Sequence, residues 1–315
     1  MGRLVNVFSW SRSRDVTFNQ CARRYWFNYY GHWGGWEHGC DPRTRRIYVL
    51  KQLANRWMWA GSLVHDHLAM VLMEMRDGRL PERSAVIERT IQAMRDGFRS
   101  SRSGFYQQRP KTTALMEHHY GADSDDIDWV EVRDHVSACM DAFFDGPFPQ
   151  TLEGLAREDW LAIEDIGHFD FEGTKIWAVP DLAYRTDDTV VIVDWKTGRR
   201  SRTPDPIQLA CYALYATDTW GVPPETVKTI EVNLGLGTAH EESIDEARLE
   251  VVRNDMRESI GKMVAMLRDV KGNGAVEEDF PRTEDRRTCG SCPFQETCLP
   301  DSPIPDPLNG AGDPP

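Results

Sequence analysis

The sequence lacks any apolar run of about 18 residues, the length a membrane-crossing helix needs, so no membrane partner is expected. Its opening stretch, MGRLVNVFSW, lacks the apolar core of a signal peptide, and a cytoplasmic location is expected. It lacks an even set of cysteines. The seven lie at 21, 40, 139, 211, 289, 292 and 298, and with no secretion signal a disulfide framework is not expected. It also lacks positive charge: 37 Lys and Arg face 50 Asp and Glu, a net of −13, which taken alone argues against a nucleic-acid partner. No internal repeat is visible.

What is present qualifies the last exclusion. Residues 1–60 hold ten Lys/Arg against three Asp/Glu, so this stretch carries +7 and the remainder −20. An acidic chain with a basic N-terminal region can still hold a phosphate backbone, although a solvated surface explains the same charges. Hydrophobic residues make up 40% of the 315, enough for one large domain or two small ones. Helical spacing runs through 12–30, 47–78 (with a break near Gly61), 83–102 and 127–144, ending at the Gly-Pro pair 146–147. The pattern then changes. Short strands at 158–166, 174–185 and 189–196 are followed by a helix at 205–219, a strand at 226–235 and a long helix at 245–271. That order predicts an α/β (α+β) fold, a mixed sheet flanked by helices behind a helical N-terminal half. The proline-rich tail reads as disordered.

Residues 190–198, VVIVDWKTG, push an acid and a base onto the end of an apolar strand. Burying a charge costs several kcal/mol unless it is paired or binds a metal, so the segment is either a structural ion pair or a site. If Asp187 and Asp188 form the turn of a hairpin, Asp181 lies opposite Asp194, and Lys196 shares the face of Asp194. Facing carboxylates repel, and Mg²⁺ or Mn²⁺ would remove that conflict.

These residues resemble a known signature. Pro180-Asp181 followed by Asp194-Trp195-Lys196 is similar to the PD-(D/E)xK nuclease motif, and Asp194-Trp195-Lys196-Thr197-Gly198 resembles the D-Y-K-T-G form of RecB-like nucleases. Gln208 and Tyr212 match that group's Q-x-x-x-Y, and Gly61 and His65 its upstream G-x-x-x-H. The resemblance implies a restriction-endonuclease-like core. It implies a metal held by His65, Asp181, Asp194 and the carbonyl of Trp195, with Lys196, Gln208 and Tyr212 completing the catalytic set. His32 and His67 read as ordinary histidines. Gln208 has a second explanation: Asp205 fits an N-cap, Pro206 the first helical position and Gln208 the third, a capping-box arrangement.

The C-terminal TCGSCPFQETC spaces Cys289, Cys292 and Cys298 as C-x₂-C-x₅-C, one ligand short of a four-coordinate site. Cys21, in NQCARRYWFNYY, resembles the N-terminal cysteine of iron–sulfur RecB-like nucleases, although Ala22 stands where proline is usual. The resemblance implies a [4Fe–4S] cluster on Cys21, Cys289, Cys292 and Cys298 that staples the C-terminus. A structural Zn²⁺ on the same residues is the alternative. Cys40, Cys139 and Cys211 read as packed thiols. The expected organisation is therefore a basic segment 1–46, a helical region 47–150, a nuclease core 151–245, a C-terminal helix and cysteine segment 246–300, and a tail 301–315.

For DNA, Arg12, Arg14, Arg23, Arg24, Arg43, Arg45 and Arg46 offer phosphate contacts, and Arg199, Arg200 and Arg202 follow the lysine motif. Trp33, Trp36, Trp57 and Trp59 read either as stacking platforms or as core. The functional expectation is a metal-dependent DNA nuclease, an exonuclease on single-stranded ends. It would serve repair or recombination, CRISPR adaptation or phage defence, with possible protein partners in such a complex. The alternative is a non-catalytic, cluster-containing DNA-binding scaffold.

Overall fold

A computed structural model describes residues 4–121, 127–200 and 203–300. The proline-rich tail from 301, most of the acidic run at 123–128 and Arg202 lie outside the described residues. In chain order the elements are β1 (Ser9–Trp10), α1 (Arg12–Gln20), α2 (Ala22–Trp26), α3 (Pro42–Leu50), α4 (Arg56–Arg76), α5 (Arg83–Arg102), α6 (Met116–His119), α7 (Trp129–Asp145) and α8 (Phe148–Glu153). There follow β2 (Trp160–Ile163), β3 (Gly167–Phe171), β4 (Thr174–Ala178), β5 (Leu182–Thr186), β6 (Thr189–Lys196) and α9 (Pro206–Trp220). The chain continues with β7 (Val227–Asn233), β8 (Thr238–Ser243), α10 (Glu246–Val264), α11 (Arg286–Gly290) and α12 (Gln295–Cys298). It divides into two compact units. Of the described residues, one takes 4–57, 96–121, 127 and 257–300, the other 58–95, 128–200 and 203–256.

The second unit is a mixed α/β fold around a five-stranded sheet of order β2-β5-β6-β7-β8. β5 and β6 form an antiparallel hairpin with Leu182 facing Val193 and Thr186 facing Thr189, so Asp187 and Asp188 are the turn. Asp187 takes a φ of +50°, the left-handed conformation that tight hairpin turns require. β6 then pairs in parallel with β7, and α9 makes the crossover between them. A strand paired on both edges and covered on both faces must be apolar throughout, and Val190–Val193 are all buried. Trp195 is 1% exposed and meets Phe143 and Phe148 edge-on at 5.7 and 4.8 Å, which places α7 and α8 on its face. Asp194 points to the other face, where Tyr212 of α9 meets it.

Two strands of this unit escaped the sequence pattern. β3 pairs with β4 in a hairpin whose short GHFDF alternation is hard to distinguish from loop. β8, TAHEES, is polar and exposed because it is an edge strand held only through β7. The expected break at Gly61 is absent: α4 runs through it, and the real interruption lies at 51–55. A helical glycine costs about 1 kcal/mol against alanine. Here any Cβ would lie 2.9 Å from Thr197 Oγ1, so close packing requires it.

In the first unit the predicted helix 12–30 is split at Cys21, whose extended backbone ends α1 and whose Sγ accepts the Arg24 N–H at 3.4 Å as the N-cap of α2. The core joins Phe27, Ile47, Val49, Leu50, Leu53, Tyr106, Ala114, Met116 and Phe294. The C-terminal segment is fastened here by Phe294 stacked on Phe27 at 5.0 Å and by Tyr120 donating to the Pro293 carbonyl at 2.7 Å. Arg46 pairs with Glu296 in the same region. Aromatic packing and an ion pair therefore hold it, and the expected iron–sulfur staple is corrected. Among the described residues no helix is long and apolar enough to cross a membrane.

Candidate metal centre

β6 sets the site. Its last turn of alternation puts Asp194 and Lys196 on one face, as its neighbour β5 delivers Asp181 at its entrance. Asp181 Oδ2 accepts the Trp195 backbone N–H at 2.5 Å, which locks the two strand ends together. α4 brings His65 one turn beyond Gly61, on the same helical face. His65 Nδ1 donates to Asp181 Oδ1 at 3.1 Å and to Glu164 Oε1 at 3.3 Å. α9 supplies the remaining contacts. Its start is capped by Asp205, which accepts from the Ile207 and Gln208 N–H groups at 3.1 and 3.2 Å. The Gln208 side chain does not close a capping box. Its Nε2 donates to Asp194 Oδ1 and to the Tyr212 hydroxyl, both at 3.0 Å, and its Oε1 accepts from Lys196 Nζ at 3.0 Å. The Tyr212 hydroxyl donates to Asp194 Oδ1 at 3.0 Å.

The electrostatics are those of a crowded anionic pocket. Burial raises the Asp181 pKa and the nearby Asp194 charge adds to the rise, against the lowering effect of the His65 hydrogen bond. Burial works to lower the His65 pKa, but the hydrogen bonds to Asp181 and Glu164 outweigh it and hold the imidazole well above its ordinary value. Burial and the adjacent carboxylates keep the Tyr212 phenol neutral. Lys196 Nζ lies 2.6 Å from Asp194 Oδ2, yet that buried oxygen accepts no aligned hydrogen bond.

A divalent cation fits this donor set. His65, Glu164 and Asp181 offer ligand atoms that all lie within 4.8 Å of one another. Glu164 was missed by the sequence reading. Its signal is similar to that of Asp194, a short apolar run (LAI) ending in an acid. Its link to Asp181 is hidden by the intervening β3–β4 hairpin. The φ of Glu164 is +51°, and its N–H donates to the Asp181 carbonyl at 3.2 Å, an irregular strand end that aims it at the site. Glu231, in register with Asp194 on β7, is a further buried carboxylate.

The cysteine expectation is corrected. Cys21, Cys289, Cys292 and Cys298 line one cavity of about 390 Å³ and form no disulfide. Among the described residues, the only group of three or more His, Cys, Asp or Glu with ligand atoms within 4.8 Å is the His65 set. Burial pushes the Cys292 thiol up to about 12 and raises Cys289 and Cys298 as well. Neither a [4Fe–4S] cluster nor a Zn²⁺ site is assigned.

The expected phosphate-binding arginines are mostly engaged within the protein. Arg12 pairs with Asp15, Arg23 and Arg43 with Glu277, Arg46 with Glu296 and Arg199 with Glu131. Arg14 lies over the Tyr29 ring at 4.3 Å. Trp57 and Trp59 are core, each 7% exposed, while Trp33 and Trp36 pack edge-to-face at 5.1 Å. His67 bonds the Leu63 carbonyl of its own helix.

No curated protein sequence matches this chain. The family model for the PD-(D/E)XK nuclease superfamily matches residues 9–299, nearly the whole chain and all of the site just described. With that match and a His–Glu–Asp group suited to a divalent cation, the chain belongs to the PD-(D/E)XK nuclease superfamily.

Proposed function

We propose that the protein is a divalent-metal-dependent deoxyribonuclease that hydrolyses phosphodiester bonds in single-stranded DNA or at free DNA ends. One observation carries the reading: His65, Glu164, Asp181, Asp194 and Lys196, from four separate stretches of chain, converge at one end of β6. The choice of DNA rests on the likeness of the D-W-K-T-G and Q-x-x-x-Y segments to those of RecB-like nucleases.

In this reading His65, Glu164, Asp181 and Asp194, with the Trp195 carbonyl, hold Mn²⁺ or Mg²⁺. The imidazole in the set suits Mn²⁺ better. Such a cation supplies Lewis-acid stabilisation of a phosphoryl group and acidifies water. The chain's own residues do the rest. Gln208 Oε1 holds Lys196 Nζ from one side while Asp194 draws it from the other, so the ammonium is fixed where negative charge develops on the phosphate. Tyr212 and Gln208 fix Asp194 Oδ1 and Lys196 Nζ faces its Oδ2, so a carboxylate that would hold the cation is set in place.

The test is digestion of end-labelled single-stranded DNA, duplex DNA and RNA with Mn²⁺, with Mg²⁺ and with EDTA. Metal-dependent cleavage of single-stranded DNA, abolished in Lys196→Ala and Asp194→Ala, is the expected result. Binding without cleavage by the wild type would favour a scaffold, and cleavage surviving both substitutions would refute the site.

A further inference from the structure

We propose that His135 is a positioning residue that fixes the turn following Lys196, an inference that rests on the nuclease reading above. Lys196 is the last residue of β6, so its backbone is held by the sheet on one side only. The next three residues, Thr197, Gly198 and Arg199, must be anchored from elsewhere if the ammonium is to stay in place.

The anchors come from the β7 end and from one face of α7. The Lys196 carbonyl accepts the Leu234 N–H at 2.7 Å. The Thr197 carbonyl lies 2.7 Å from His135 Nε2. A carbonyl only accepts, so Nε2 carries the proton and donates. One turn before His135, Glu131 pairs with Arg199, and one turn after it Cys139 packs against the imidazole at 3.6 Å. Residues 131, 135 and 139 share a helical face, and that face follows the turn. From the other side Gly61 lets Thr197 approach α4, where a Cβ would sit 2.9 Å from Thr197 Oγ1.

Gly235 shows how tightly the turn is enclosed. A Cβ there would lie 2.7 Å from the Gly198 carbonyl oxygen, 2.9 Å from the Thr197 carbonyl oxygen and 2.9 Å from His135 Cε1. The turn, the imidazole and the chain after β7 therefore meet with no room for a side chain. The exposed Glu131–Arg199 pair adds little. The half-buried His135 hydrogen bond is the part of the clamp that acts directly on the turn next to Lys196. The imidazole acts on Lys196 through the carbonyl of the adjoining Thr197.

His135→Ala, His135→Gln and the wild type should be compared by DNA cleavage kinetics and by amide hydrogen exchange at Leu234, whose N–H is bonded to the Lys196 carbonyl. Glutamine places an amide N–H near the position of the imidazole Nε2–H and is the conservative rescue. A small displacement of a catalytic group can cost up to about a hundredfold in rate. For His135→Ala we expect kcat to fall roughly ten- to a hundredfold with KM within about twofold of wild type and faster exchange at Leu234. His135→Gln should recover most of both. Unchanged kcat in His135→Ala overturns the proposal, and so does a loss in His135→Gln as large as in His135→Ala. Equal losses in kcat and substrate binding with unaltered Leu234 exchange would do the same. A wild type that cleaves nothing defeats the nuclease reading instead, and Leu234 exchange still decides whether His135 holds the turn.

Discussion

Each residue of the site answers to a balance between burial and charge. Asp181 and Asp194 are 6% and 3% exposed, and carboxylates so buried persist only with partners. The apolar run VVIVDWK by itself points to the facing acids. Glu164 is not legible in the same way, because a strand end followed by a separate hairpin gives no spacing to read. Glu164→Gln should weaken Mn²⁺ binding by about tenfold or more, on the scale of lost metal-site interactions, while leaving the fold intact. Isothermal titration with Mn²⁺ checks this, and unaltered affinity would remove Glu164 from the site. Gln208 shows the converse. Its sequence position suits a helix cap, but the Asp205 side chain already satisfies the first-turn N–H groups, which frees the amide to bridge Asp194, Lys196 and Tyr212.

The elements were legible where burial was two-sided or periodicity long. β6 and α7 are such cases: Val132, Val136, Cys139, Met140 and Phe143 of α7 are all buried along one face. β3 and β8 were not legible, the first for shortness and the second because an exposed edge strand carries no apolar alternation. At this scale Trp195 is the keystone between β6 and the helices α7 and α8. Trp195→Ala should destabilise by about 3–5 kcal/mol, the usual cost of emptying a buried aromatic site. Urea unfolding measures it, and a loss under about 1 kcal/mol would contradict the packing described. Asp205→Ala should cost about 1 kcal/mol through the lost cap of α9. The same variant should lower kcat, because Gln208 sits in the first turn of that helix.

For the molecule as a whole, the decisive feature is that distant stretches of chain build each unit. The C-terminal segment joins the first unit through Phe294, fully buried against Phe27, and through Glu296. Partial burial works to raise the Glu296 pKa, but hydrogen bonds from His119 and Arg46 outweigh it and hold the carboxyl down at about 2. A carboxyl depressed on folding contributes stability above its ordinary pKa, and that contribution is lost as pH falls toward the depressed value. Wild type should therefore lose more stability than Glu296→Gln between about pH 5 and about pH 3. Parallel losses in denaturant midpoints across that range would show that the pair does not stabilise the fold. Four cysteines share a cavity in this unit, yet sequence spacing alone could not say whether their sulfurs meet as ligands. Spacing limits what a chain can bring together, while sulfur–sulfur separation and thiol burial are set by the aromatic core around them.

The sequence by itself determined the central strand, the hairpin register through Asp187 and Asp188, and the alternation that puts Asp194 and Lys196 on one face, because these follow from local periodicity and turn chemistry. Only the tertiary structure decided that Glu164 joins His65 and Asp181, that Gln208 turns into the site, that most of the expected phosphate-binding arginines contact the protein itself, and that the described cysteines form no close ligand group. Those outcomes depend on distances between segments far apart in the chain, and no local pattern encodes such distances.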